Sequence, residues 1–501
     1  MMAVTAQLLL VCASALSFTP ACARMETAST TNAAAPPVAA IVYTESADPI
    51  VLTPEEQTEA ALDSVRRADR DALGANGQLP ALTPQEHMRR GAIYHANRAF
   101  EEARAHWRIV LARYASDPNA PMALFLIGRS LFQERRYEEA LPHFERLGTE
   151  SPGTPAGRDG FYYVAATKLR LGRAAEAAQR YIEYVEKFPN GERAEQSYLN
   201  IIDSLREAGR HDEAIPWVAR TRQRYPGTVS DTNALFARLR LDVSRGDWQS
   251  ALQTGDELSR VGFQRGVATS KNEVTYLRAY SLERLGRREE AAAAYRSIPD
   301  SLSSYFGGLA TARLREFGGD ARNAAAEREA RVRSEAQRAA ADYPAPFREI
   351  ILRAVRGRAV DPRLMLAIMR QESGFKPTAK SGAGARGLMQ LTMDAANRFG
   401  PGVQMNNLNE DALYRPEVSI TVAAAYLDEL AKMFPGLPEA VAASYNGGED
   451  NVARWVKRVG QKDNGVFTAD VGFTESKDYA QKVLANYRAY TLLYSDKLAR
   501  K

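Results

Sequence analysis

A 37-residue beat constrains this chain more than any other feature. The segments Phe100-Glu101-Glu102-Ala103, Tyr137-Glu138-Glu139-Ala140, Ala174-Ala175-Glu176-Ala177, His211-Asp212-Glu213-Ala214 and Trp248-Gln249-Ser250-Ala251 close on alanines at 103, 140, 177, 214 and 251, equal steps of 37. A sixth copy, Arg288-Glu289-Glu290-Ala291, follows after 40. Pro152, Pro189 and Pro226 lie 12 residues past the alanine in three copies, and Gly172, Gly209, Gly246 and Gly286 lie five before it, where a turn between paired helices belongs. A helical hairpin of this size cannot bury its apolar face alone. Stacking on the next hairpin hides it, and a small alanine lets the two helices approach closely. The expectation is six helical hairpins over about 88–300, each packed on its neighbour with the same small rotation and bending into a curved solenoid.

The spacing resembles that of tetratricopeptide-like repeats, whose role is to offer a curved surface to a partner. A purely supporting role for the array is the alternative. Thr53-Pro54-Glu55-Glu56 and Thr83-Pro84-Gln85-Glu86 both carry a helix-start signature, with Thr as cap, Pro at the first helical position and a carboxylate three residues after the Thr. The repeats fade after about residue 296, and 321–341 is a charged, Ala-rich helical stretch. Asp342-Tyr343-Pro344-Ala345-Pro346 then breaks it, because two prolines cannot continue a helix. At 501 residues two or three domains are expected. We place a superhelical domain at 53–341 and a second domain at 342–501. No alternating strand pattern stands out in the second, so the chain is expected to be all-α.

Residues 8–18 form a short apolar stretch followed by Ala21-Cys22-Ala23. The stretch is too short to span a bilayer and reads as a signal-peptide core, with residues 1–23 removed and the mature chain exported to the periplasm. No Lys or Arg precedes it. Lipid attachment at Cys22 and an outer-membrane anchor form the alternative, with Thr19 standing where an aliphatic residue is usual. Cys12 and Cys22 are the only cysteines, so the mature chain has no disulfide. Residues 24–52, rich in Ala, Thr, Ser and Pro, read as a flexible tether. No later apolar run reaches the ~18 residues of a membrane span, so no transmembrane segment is expected in the mature chain. The net charge of +5 suits an acidic polymer, but Lys and Arg are spread along helical faces rather than clustered. No nucleic-acid partner is expected.

Elimination narrows the chemistry. All five histidines, His87, His95, His106, His143 and His211, lie in the repeats or just before them, so 342–501 holds neither His nor Cys. That excludes a Ser-His-Asp or Cys-His centre there and argues against zinc. There is no Gly-rich phosphate loop, and neither a metal nor a cofactor is expected. Carboxylates, Tyr, Lys and hydroxyls remain. The segment Asp361–Gly374 reads as a helix ending at a glycine, with Leu364, Ile368 and Glu372 four apart on one apolar face. A carboxyl carried toward the core has its charged form disfavoured, and its raised pKa suits a proton donor near neutral pH. A Glu that bends to water is the bland alternative. Ser381-Gly382-Ala383-Gly384-Ala385-Arg386-Gly387-Leu388-Met389-Gln390 permits tight turns, and Ser444-Tyr445-Asn446-Gly447-Gly448 and Glu475-Ser476-Lys477-Asp478-Tyr479 follow.

Taken in order, Glu372-Ser373, Gly387-Leu388-Met389-Gln390, Tyr445-Asn446 and the Glu475…Tyr479 segment resemble the soluble lytic transglycosylases over roughly 342–501. Their catalytic domain has a goose-lysozyme-like, mostly helical fold, and larger members carry a helical superhelix. The resemblance implies that Glu372 is the single catalytic acid/base and that Ser381 helps hold the substrate near its N-acetyl group. It implies further that Met389 and Gln390 floor a glycan cleft, that Tyr445 is a phenol near the acid held by Asn446, and that Glu475 lines the cleft. An ion pair with a neighbouring Lys or Arg is the alternative for Glu475. Two departures stand out. Thr392 and Met393 replace the usual Met and Pro, and Gly448-Glu449-Asp450 adds negative charge at a cleft edge.

The implied reaction is cleavage between N-acetylmuramic acid and N-acetylglucosamine in peptidoglycan, with the sugar's own 6-hydroxyl as nucleophile and a 1,6-anhydro end. This departs from the two-carboxylate scheme of most glycosidases. A non-catalytic envelope protein, whose array binds a periplasmic partner and whose second domain binds peptidoglycan, is one rival. A plain muramidase that uses water is another.

Overall fold

The computed structural model describes residues 52–74, 78–382, 384–460 and 463–501; the expected signal peptide and nearly all of the expected tether lie outside them. The described residues form 23 α-helices and no named strand, apart from isolated bridges such as Lys380–Arg386 and Arg386–Leu391. After α1 (Glu59–Asp71), helices pair as hairpins: α2 (Pro84–Ala96) with α3 (Phe100–Arg113), α4 (Ala120–Gln133) with α5 (Tyr137–Glu150), and α6 (Pro155–Arg170) with α7 (Ala174–Lys187). Then come α8 (Ala194–Glu207) with α9 (His211–Arg224), α10 (Val229–Arg245) with α11 (Trp248–Leu258), and α12 (Lys271–Arg284) with α13 (Arg288–Ser297). A seventh pair, α14 (Tyr305–Phe317) with α15 (Gly319–Arg338), lacks the repeat signature. The second region holds α16 (Arg348–Ala354), α17 (Pro362–Ser373), α18 (Met393–Phe399), α19 (Pro416–Met433), α20 (Pro438–Gly447), α21 (Glu449–Val459), α22 (Asn464–Asp470) and α23 (Thr474–Leu493).

The periodic alanines do the packing the spacing demands. Ala103, Ala140, Ala177, Ala214, Ala251 and Ala291 are each 0% exposed. The hairpin turns pass through left-handed backbone at Gly172, Gly209, Gly246 and Gly286, with φ between 72° and 77°. The first two hairpins make the same turn with Arg98 and Arg135, each at φ 61°. A residue with a Cβ is strained there by about 1–2 kcal/mol, so glycine alone does not mark these turns. Thr83 caps α2 as expected, its Oγ1 accepting from the Glu86 amide at 3.2 Å. At Thr53 the reciprocal bonds with Glu56 form, at 2.8 and 3.3 Å, but they close only a 3₁₀ turn. Thr58 offers a second cap a few residues on, and the α-helix restarts behind it.

The array bends around the second region. Glu59 of α1 pairs with Lys380, Glu207 of α8 holds Arg454 (3.0 Å) and Arg458, and Arg206 holds Asp470. Further along, Glu273 of α12 meets Lys477 at 3.0 Å, and Tyr305 of α14 meets Thr468 at 2.8 Å. The hairpins from α10 onward share one apolar core with residues 343–498, while the earlier hairpins keep clusters of their own. No described helix is long and apolar enough to cross a membrane.

Candidate active site

Helix α17 delivers Glu372. Asp361 caps its start, accepting from the Arg363 amide at 2.8 Å, and Pro362 takes the first helical position. Gly374, left-handed at φ 55°, ends the helix. Met365, Leu366, Ala367, Ile368 and Met369 are wholly buried and fix the helix in the core, so Glu372 in the last turn is held rather than free to swing. Next to it, Ser373 donates to the Leu388 carbonyl at 2.8 Å and ties the helix end to the 387–390 turn.

That turn is built by close approach. Gly387 has φ 77°, and a Cβ there would lie 1.9 Å from the Leu413 carbonyl oxygen. Met389 is 0% exposed. It reaches the site through its backbone, whose carbonyl accepts the Tyr445 hydroxyl at 2.7 Å. Gln390, at φ 46°, donates from Nε2 to the Ala379 and Gly387 carbonyls at 3.0 Å each and pins the preceding loop. Ser381 closes that loop, its Oγ accepting from the Ala385 amide at 3.1 Å; no described hydrogen bond joins it to Glu372.

The remaining motifs complete a circuit. Asn446 accepts from Ser476 Oγ at 2.7 Å, locking the end of α20 to the start of α23 beside Glu475. One turn along α23 from Glu475, Tyr479 donates to Glu372 Oε1 at 2.6 Å. So hydrogen bonds tie the 372–373, 387–390, 445–446 and 475–479 segments to one another, and Tyr479 bonds the Glu372 carboxyl itself. Tyr479 had no role assigned from sequence. Its place four residues after Glu475, on the same helix face, is the signal that marks it.

Glu372 is half-buried, and the loss of water around its carboxyl lifts it to about 7; the Tyr479 hydrogen bond pulls it back, and the Glu475 charge adds to the rise. Tyr445 and Tyr479 are both pushed well above the usual phenol range, first by burial and then by the Glu372 charge, so both stay protonated and act as donors near neutral pH. Glu475 is exposed and makes no ion pair among the described residues. A carboxyl half protonated near pH 7, held by a phenol, can give a proton to a bound oxygen and take one back.

The two departures also have structural reasons. Thr392 caps α18, its Oγ1 accepting from the Ala395 amide at 3.3 Å. Glu449 does not stand as a free charge. It pairs with Arg398 and accepts from Tyr426 at 3.1 Å. Burial alone would raise its carboxyl, but its own amide and Arg398 hold it below the usual range.

The family described as Transglycosylase SLT domain matches residues 349–467, and the Tetratricopeptide repeat family matches 89–155 and 165–228. A soluble lytic murein transglycosylase of Salmonella typhimurium is 31% identical over 153 residues, 30% of this chain and 23% of that protein. A membrane-bound lytic murein transglycosylase C of Sodalis glossinidius is 35% identical over 118 residues, 22% of this chain and 33% of that protein. The solved 70-kDa soluble lytic transglycosylase of Escherichia coli superposes with a TM-score of 0.48 at 18% identity, covering 89% of this chain and 88% of that one. Each aligned stretch spans a third or less of the curated relative it matches. The circuit around Glu372 thus lies in and just beyond a transglycosylase SLT domain at 349–467, and that domain is preceded by tetratricopeptide repeats.

Proposed function

We propose that this chain is a peptidoglycan lytic transglycosylase with Glu372 as its single general acid/base. The observation that carries the reading is the carboxyl of Glu372, a residue inside the SLT domain, lifted to about 7 by burial and bonded at 2.6 Å to Tyr479 just beyond that domain. In the protonated state Glu372 gives its proton to the glycosidic oxygen as the bond to C1 of the muramic acid breaks. The N-acetyl group of that sugar steadies the positive charge at C1, and Ser381 helps hold it there. The 6-hydroxyl then bonds to C1 and passes its proton to the Glu372 carboxylate, which returns the acid and leaves a 1,6-anhydro end. Tyr479 positions the carboxyl throughout, while Gln390, Asn446 and Glu475 shape the cleft and Met389 and Tyr445 support its floor. A pKa near the working pH serves both halves of the cycle, since the group must lose and regain a proton. The substrate is the glycan strand of peptidoglycan, and the site of action is the periplasm, with residues 1–23 removed or lipid carried on Cys22.

The test is digestion of purified sacculi with wild type and Glu372→Gln, the fragments being weighed by mass spectrometry. Wild type should release fragments lighter by one water than hydrolytic products, and the folded variant should lose activity on the order of 10²–10⁴-fold. Reducing ends would make the enzyme a muramidase instead. Near-normal turnover by the variant would remove Glu372 from the mechanism.

A further inference from the structure

A cavity of about 330 Å³ lies between the array and the second region and includes none of the residues gathered at Glu372. Its size falls within the roughly 300–1,000 Å³ of small-ligand sites. Helix α6 supplies Tyr162, Tyr163 and Arg170 from one side; α21 and the start of α23 supply Arg454, Trp455 and Phe473 from the other. Aromatic rings line both sides. Trp455 meets Phe473 edge to face at 4.9 Å, and Tyr162 meets Tyr163 the same way at 5.6 Å. Tyr162 accepts from Asn200 at 3.0 Å, which leaves its own proton to give.

The charges lining it do not balance. Arg206 is held by Asp203 and Asp470, Arg454 by Glu207, and Arg458 by Glu207 and Asp470. Arg170 has no carboxylate within ion-pair distance among the described residues; its guanidinium lies 4.0 Å over the Phe473 ring instead. Burial and then the like charges of Arg135 and Arg454 press it below the usual arginine range. A guanidinium stays charged under such pressure and gains most from an anion placed against its fork.

We propose that this cavity is a second ligand site, apart from Glu372, for a carboxylate-bearing amino-sugar fragment, with Arg170 as its anion contact and the Tyr162, Trp455 and Phe473 rings against the sugar. The ligand class rests on the function proposed above: fragments of peptidoglycan carry both a pyranose ring and the carboxylates of an attached peptide. Phe473 stands two residues before Glu475, so an occupant of the cavity touches the segment that feeds α23 and its Tyr479.

The experiment uses the full chain carrying Glu372→Gln, which binds without turning fragments over. It is titrated with a purified disaccharide–tripeptide of peptidoglycan while tryptophan fluorescence is followed. A saturable change is expected that disappears when Trp455→Phe is added. Arg170→Gln should bind on the order of ten- to a hundredfold more weakly, the loss of a charge-assisted bond. Arg170→Lys should bind better than Arg170→Gln, and di-N-acetylchitobiose, a disaccharide of the same amino sugar with no carboxylate, should bind as weakly as the fragment does to Arg170→Gln. No Trp455 signal, or equal affinity for the two disaccharides, overturns the site, and the second comparison stands even if Arg170→Gln fails to fold. The two readings fail separately. Wild type that releases no fragments from sacculi sinks the proposed function, whereas release of fragments with a silent Trp455 sinks the second site alone.

Discussion

Glu372→Gln reaches past activity into stability, and its size follows from the burial. The folded carboxyl titrates near 7 against an ordinary 4.5, because the surrounding chain strips water from the charged form. A rise of that size corresponds to about 3 kcal/mol. Folding therefore favours the protonated acid. The contribution is fully present below about pH 4.5 and is lost as pH rises through 7, where the folded state must carry a buried carboxylate that the unfolded chain solvates. Gln keeps the shape and can still accept from Tyr479, but it carries no charge. The variant should match wild type at pH 4 and exceed it by about 3 kcal/mol at pH 8, a rise in Tm on the order of a few degrees. Denaturant titrations and thermal melts at both pH values measure this directly. A gain of equal size at pH 4 and 8, or a loss at pH 8, would falsify the claim that burial raises this carboxyl.

Tyr479→Phe removes the one hydrogen bond that lowers the Glu372 pKa, so the alkaline limb of the pH–rate profile should move up by about one to two pH units; an unmoved or lowered limb speaks against the contact. Lys477→Met leaves Glu273 buried without its cation and should cost about 3–5 kcal/mol, most of it recovered when Glu273→Leu is added, as measured by denaturation of the single and double variants. Ala177→Leu overfills a contact that leaves no surface exposed and should cost about 1–3 kcal/mol in the same assay; a neutral result would mean the hairpins do not touch there. N-terminal sequencing or intact mass of the native protein should find a start near Arg24 or lipid on Cys22, and retention of residues 1–20 would rule out export.

The array was legible because its physics is local and repeated. An alanine forced into every close contact and a turn five residues before it leave a period that survives in one sequence. The same rule hid two features. Arg98 and Arg135 take the glycine position, so the first two turns escape a search for Gly, and α14 with α15 packs as a hairpin without the motif. At the site, the end of α17 and its apolar face were readable because helix geometry alone sets them. The partner of the acid was not, since Tyr479 comes to Glu372 across 107 positions of chain. The ties of Glu207 and Glu273 to Arg454, Arg458 and Lys477 join residues more than 200 positions apart, and no spacing rule reaches that far.

Stacked hairpins on their own behave as a spring: pitch error in one unit is passed to a free end and released there. Here the first helix is fastened at Lys380, the eighth at Arg454 and Arg458, the twelfth at Lys477 and the fourteenth at Thr468. Lys380 sits on the loop that carries Ser381, and Lys477 on the helix that carries Glu475 and Tyr479, whereas Arg454 and Arg458 belong to α21 and Thr468 to α22. The superhelix is thus fastened to the second region at several places along its length, two of them on the segments that carry Ser381, Glu475 and Tyr479.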